Sequence, residues 1–90
     1  MRMSTITKHL EAGGGSSFAC ALGMELRRLR TDAGLTQRAV GNPMSRSFIC
    51  LVEQGRVTPS LPSLLIIARR LNTSAAAILA AVEVAMEDDS

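Results

Sequence analysis

From Leu22 onward the chain repeats one pair of signals: a residue that stops a helix, followed within a few positions by one that starts another. Gly34 stands where a helix closes on a left-handed residue, and Thr36 is an N-cap for the next. Gly41-Asn42-Pro43 breaks that second segment, Ser45 caps a third, and Gly55 ends it. Thr58-Pro59-Ser60 is a turn whose serine caps a fourth helix, and Ser74 caps a fifth. Between the breaks, apolar residues recur at spacings of three and four, the period of an amphipathic helix. The first stripe is Leu22, Leu26, Leu29 and Ala33. Ala39 and Val40 face inward on the second helix, and Phe48 or Ile49 with Val52 on the third. Leu61, Leu64, Leu65, Ala68 and Leu71 form the fourth stripe, and Ala75, Ile78, Leu79, Val82 and Met86 the fifth. The prediction is a compact all-α domain of five short helices.

Composition agrees with packed helices. Hydrophobic residues make up 47% of the chain, with no Trp or Tyr and only Phe18 and Phe48, so the core is built from aliphatic residues and Met rather than from the aromatics a sheet favours. Ninety residues leave room for a single domain. Residues 1–20, which include Gly13-Gly14-Gly15-Ser16-Ser17, read as a flexible N-terminal arm, either a leader without function or one that touches a nucleic-acid backbone or a partner. Residues 21–82 form the domain, and residues 83–90 an acidic tail.

Charge is unevenly distributed. Residues 22–71 carry eight Arg against Glu25, Asp32 and Glu53, a net of +5, while Glu83, Glu87, Asp88 and Asp89 make the end acidic. A basic body of this kind fits a polyanion, and equally an ordinary solvated surface. Cys20 and Cys50, with His9 as the single imidazole, have no metal-ligand spacing and make no disulfide framework, which points to a reduced, cytoplasmic protein without a metal or other cofactor. The N-terminus has no apolar run before its glycines and so no secretory signal, and no stretch approaches the ~18 apolar residues of a membrane span.

The second and third helices carry the functional signal. They are short and set at an angle, and the third offers small and basic side chains outward, which is how a protein presents a helix to the major groove of DNA. The residues around them are Leu29-Arg30, Gly34-Leu35-Thr36-Gln37, Ser45-Arg46-Ser47, Glu53-Gln54-Gly55-Arg56, Pro59-Ser60-Leu61, Leu64-Leu65-Ile66-Ile67-Ala68, and Leu71 followed by Ser74. In this pattern the chain resembles the lambda-repressor-like (Cro or XRE-type) helix-turn-helix DNA-binding family over about residues 22–79. It departs from the family between Gln37 and Ser45, where the route is shorter and contains Pro43. Helix two is therefore expected to end near Gly41, with Asn42-Pro43-Met44 as a tight link, and the angle between helices two and three is left open.

The resemblance implies a role for each matching residue. Gln37 grips a phosphate at the start of helix two, aided by the helix N-terminus. Ser45, Arg46 and Ser47 open the recognition helix, with Cys50 and Leu51 further along its groove-facing side. Arg46 is the leading candidate for base readout, because its fork bonds guanine O6 and N7 together; the competing assignment is a solvated or phosphate-bound Arg. Ser45 is a helix cap, a contact, or both. Cys50 is a half-buried thiol without chemistry, or one whose oxidation would block docking. Arg56, Thr58 and Arg38 lie beside the backbone and supply sequence-blind affinity. Arg30 and Glu53 are implied to form a buried ion pair tying helix one to helix three.

The function implied is a sequence-specific transcriptional regulator, a small repressor that binds double-stranded DNA as a homodimer on an inverted repeat. A lone module buries too little surface for tight specific binding, and the apolar side of the C-terminal helix is the candidate dimer face. The alternative is an antitoxin-like or anti-repressor module that holds another protein, with the acidic tail as contact. An enzyme is disfavoured, since His9 lies in the arm and Cys50 has no His partner.

Overall fold

The computed structural model describes residues 16–88, which form five α-helices and no strand. These are α1 (Ser17–Asp32), α2 (Gln37–Gly41), α3 (Arg46–Glu53), α4 (Leu61–Arg70) and α5 (Ala75–Asp88). Each begins at a hydroxyl that accepts a hydrogen bond from a backbone N–H three residues on. Ser16, Thr36, Ser45, Ser60 and Ser74 accept from Ala19, Ala39, Phe48, Ser63 and Ala77 at 3.0 to 3.2 Å. Each cap satisfies an N–H that the first turn leaves without a partner and contributes about 1 kcal/mol. Pro62 sits in the first turn of α4, where its missing N–H costs nothing. Gly34 and Gly55 take the left-handed backbone expected of helix-ending glycines, with φ of 71° and 75°.

Three sequence expectations need correction. The arm does not extend to residue 20. Ser16 caps α1 and Ala19 is buried, so residues 17–20 belong to the helix, and only residues 1–15 of the arm, with His9, lie outside the described residues. At the other end, the acidic residues 83–88, expected as a tail, continue α5, as Met86 in the fifth stripe already implied, because Val82 and Met86, four residues apart, keep the helix against the core; Asp89 and Ser90 lie outside the described residues. Some inward positions also differ. Ala33 and Ala39 are exposed, and α4 buries Leu64, Ile67, Ala68 and the following Leu71, which leaves Leu61 and Leu65 in solvent at 69% and 55% exposure.

The core draws on every helix. Leu22, Val52, Ile67, Ile78 and Val82 are each 1% exposed, and burying side chains of this size stabilises the fold by roughly 1.5–3 kcal/mol apiece. The helices pack in a ring, in which α1 lies against α5 and is crossed by α3. The crossing is close because Gly23 has no side chain: a Cβ there would collide with the carbonyl oxygens of Val52 and Glu53 at the C-terminal end of α3. A second close approach joins α2 to α3, where a Cβ on Gly41 would lie 2.6 Å from Ile49 Cγ1. The five-residue α2 and the Asn42-Pro43-Met44 link, as expected from the breakers, therefore press directly on the start of α3, while α4 packs behind α2.

Candidate nucleic-acid interface

Helix α3 is amphipathic over only eight residues, so each position has a definite task. Ile49 and Val52 point into the core. The opposite face carries Arg46, Ser47 and Leu51, all exposed, with Cys50 half-buried beside them. Ser45 is the N-cap, its hydroxyl accepting from the Phe48 N–H at 3.0 Å, so the capping role expected of it is filled. Cys50 Sγ accepts from Gln54 Nε2 at 3.2 Å, and both cysteines are free thiols.

The face is held in place by an ion pair at the far end of the helix. Arg30 on α1 meets the Glu53 carboxylate with both sides of its fork, Nε to Oε2 at 2.6 Å and Nη2 to Oε1 at 3.0 Å. Its remaining Nη1 donates to the Leu35 carbonyl at 2.8 Å, which ties the turn before α2 into the same unit. The Glu53 side chain is 5% exposed and that of Arg30 14%. Two parallel charge-assisted bonds fix orientation as well as distance. The Glu53 hydrogen bond, offset in part by burial, raises the Arg30 pKa above its already high ordinary value, so the guanidinium stays charged at any physiological pH.

Gln37 has a different neighbourhood from the one expected. Its Nε2 donates to Glu53 Oε1 at 3.1 Å, making it the third member of the Arg30–Glu53 cluster. One amide N–H is thereby used, and its second N–H and carbonyl remain for a contact at the surface. The link joins residues sixteen apart in sequence, and no spacing or period signals it.

Positive charge collects around the two helices. Arg28 is neutralised on the outer face of α1 by Glu25 at 2.6 Å and Asp32 at 3.3 Å, and Arg30 by Glu53. All three acids between residues 22 and 71 are thus engaged, and among the described residues Arg27, Arg38, Arg46, Arg56, Arg69 and Arg70 have no carboxylate within ion-pair distance. Arg30, Thr36, Gln37, Arg38 and Arg46 line one shallow depression between α2 and α3. Arg38 and Arg46 also border a second, with Asn42, Ser45 and Arg70. A third lies past the ion pair, between Arg27, Cys50 and Gln54. Gln37, Ser45, Arg46 and Cys50 are therefore brought to one surface, whereas Arg56 and Thr58, exposed on the loop after Gly55, border none of these depressions. Arg27 and Arg70 are the basic residues that sequence reasoning missed, because they belong to helices outside the two-helix unit and only packing brings them to its edge.

A further groove is of another kind. It runs between α1 and α5, is largely apolar, and is bordered by Cys20, Ala21, Met24, Ala85 and Met86, away from α3. Among the described residues no group of three His, Cys, Asp or Glu could hold a metal ion, and no single helix is long and apolar enough to cross a membrane.

Comparison with known proteins identifies the arrangement. The family model described as a helix-turn-helix domain matches residues 21–81. Among solved structures, the clp gene regulator ClgR from Corynebacterium glutamicum superposes with a TM-score of 0.75 at 28% identity, covering 80% of this chain and 79% of that one. A second structure of that regulator gives 0.70 at 30% identity, covering 77% and 92%. The restriction-modification controller protein C.AhdI from Aeromonas hydrophila gives 0.63 at 31% identity, covering 67% and 94%. No curated protein sequence matches. With α2 and α3 as the paired helices, Arg30–Glu53 as their brace and an open basic face on α3, the chain belongs to the lambda-repressor-like helix-turn-helix family and has the fold of a DNA-binding transcriptional regulator.

Proposed function

We propose that this protein is a sequence-specific transcriptional regulator of the cytoplasm, a small repressor that binds double-stranded DNA as a homodimer. The observation that carries the proposal is the outward face of α3: Arg46, Ser47 and Leu51 stand in solvent while Ile49, Val52 and Glu53 lock the same helix to the body. A short helix held rigidly from behind, with small and basic residues in front, fits the major groove. Arg46 reads a guanine through its fork, Ser47 bonds either base type, and Leu51 touches a thymine methyl, each good bidentate pair being worth ~1–3 kcal/mol of discrimination. Gln37, through its second amide N–H, and Arg56 and Thr58 on the loop contact phosphates. Cys50 lies on the flank of the reading face.

Two copies, each presenting one α3, would meet successive major grooves roughly 34 Å apart, so the site is an imperfect inverted repeat. The dimer face proposed is the outer side of α5, where Val84 is 56% exposed near the apolar groove against α1. A second reading, a module that holds another protein, is favoured by one observation only: Leu61 and Leu65 are exposed side by side on α4. Selection of bound sequences from random duplex DNA separates the two. The expected result is a two-fold-related motif for the wild type that relaxes at one position per half-site with Arg46→Ala. If the wild type enriches no motif, the regulator reading fails; if the motif survives Arg46→Ala at every base, the readout belongs to another residue.

A further inference from the structure

We propose that Arg70, at the end of α4 and outside the helix-turn-helix, grips a DNA backbone phosphate together with Arg38, fixing the N-terminal end of the recognition helix on the duplex; this rests on the DNA-binding reading above. Three helices converge at this point. Arg38 of α2, Arg46 of α3 and Arg70 of α4 border one shallow depression, with the Asn42 amide on its rim and the Ser45 cap beside it. All three guanidinium groups belong to exposed residues, and among the described residues no carboxylate lies within ion-pair distance of any of them. Like charges brought to one depression repel, and the nearby Ser45, Asn42 and Ala39 offer no compensating charge. An anion placed between them removes that repulsion, and the Arg fork matches the oxygens of a phosphate.

The position selects the kind of anion. The depression lies at the start of α3, the end that enters the groove, so its rim faces the strand bordering that groove. The contact is to phosphate and carries no sequence information, which leaves base readout to Arg46. A simpler role for Arg70 is to complement the α4 dipole from its last turn. Arg69 occupies the same last turn and serves that role equally, yet it does not border the depression. This difference supplies the control.

On the duplex selected by the wild type, binding is measured against salt concentration for the wild type, Arg70→Gln and Arg69→Gln, with thermal melting of each. Arg70→Gln removes one phosphate contact per protomer of the dimer and is expected to lower the slope of log affinity against log salt by about 1.8 and to weaken binding about sixtyfold at ~0.1 M monovalent salt, with the selected motif unchanged. Arg69→Gln should stay close to the wild type in slope while matching Arg70→Gln in melting temperature. Equal slope changes in the two variants, or none in Arg70→Gln, would overturn the assignment while leaving the DNA-binding reading intact. A wild type that selects no motif would remove both.

Discussion

Replacing Glu53 with Ala tests whether the cluster behind α3 holds the interface together. The substitution removes a carboxylate that is 5% exposed and accepts from Arg30 Nε, Arg30 Nη2 and Gln37 Nε2. Arg30 is left charged, since a guanidinium stays protonated at any physiological pH even without Glu53; in the wild type the Glu53 hydrogen bond raises its pKa, so the stability the pair contributes through Arg30 is present below the unfolded value and is lost as pH rises through the folded one, beyond the physiological range. Breaking a buried pair from one side costs ~3–5 kcal/mol, because the remaining charge is desolvated without a partner. The low end applies, as Arg30 is 14% exposed and keeps its bond to the Leu35 carbonyl. A domain of this size has a total stability of ~4–11 kcal/mol, so a loss of about 3 kcal/mol removes a large share of it. The corresponding fall in Tm is ~12–24 °C. Calorimetry of Glu53→Leu, Arg30→Met and the Arg30→Met/Glu53→Leu double variant alongside Glu53→Ala completes the cycle, and the double variant should recover most of the loss, since an apolar pair of similar volume replaces the buried ions. A Glu53→Ala melt within about 2 °C of the wild type would show that Arg30 reaches water freely and that the brace is not energetic.

The other predictions address separate contacts. Gly23→Ala should lower stability by ~1–3 kcal/mol in urea unfolding, because its Cβ would lie 2.7 Å from the Glu53 carbonyl oxygen and force α1 and α3 apart. Ser45→Ala should cost about 1 kcal/mol through loss of the Phe48 N–H cap while leaving the selected DNA motif unchanged; a changed motif would make Ser45 a base contact as well. Val84→Lys should leave thermal stability within about 0.5 kcal/mol of the wild type at protein concentrations low enough that both are monomeric, since the side chain is 56% exposed, but at higher concentration should shift the species seen in analytical ultracentrifugation from dimer to monomer. A dimer unaffected by it would move the interface elsewhere, with exposed Leu61 and Leu65 the next surface to test.

The sequence alone determined the features that depend on neighbours a few residues away. Thr36, Ser45, Ser60 and Ser74 cap the N–H three positions on, and Gly34 and Gly55 close helices with positive φ, because capping and backbone preference are local forces. The same signals delimited α2 at Gly41 and singled out the α3 face bearing Arg46 and Ser47. The Arg30–Glu53 pair, twenty-three residues apart, was accessible only through resemblance to a family. Other features were decided by packing between distant segments. The Gly-rich approach suggested an arm to residue 20, but a buried Ala19, with Cys20 lying over Gly55, extends α1 back to Ser17. Leu65 and Ile67 both suit an amphipathic α4, and only the phase set by Leu64, Ala68 and Leu71 buries Ile67 and exposes Leu65. Gln37 joins Glu53, and Arg70 borders the same depression as Arg38 and Arg46, because α3 and α4 both pack against α2. Charge and burial act through space, so the tertiary fold decides which arginines are neutralised and which remain open to a polyanion.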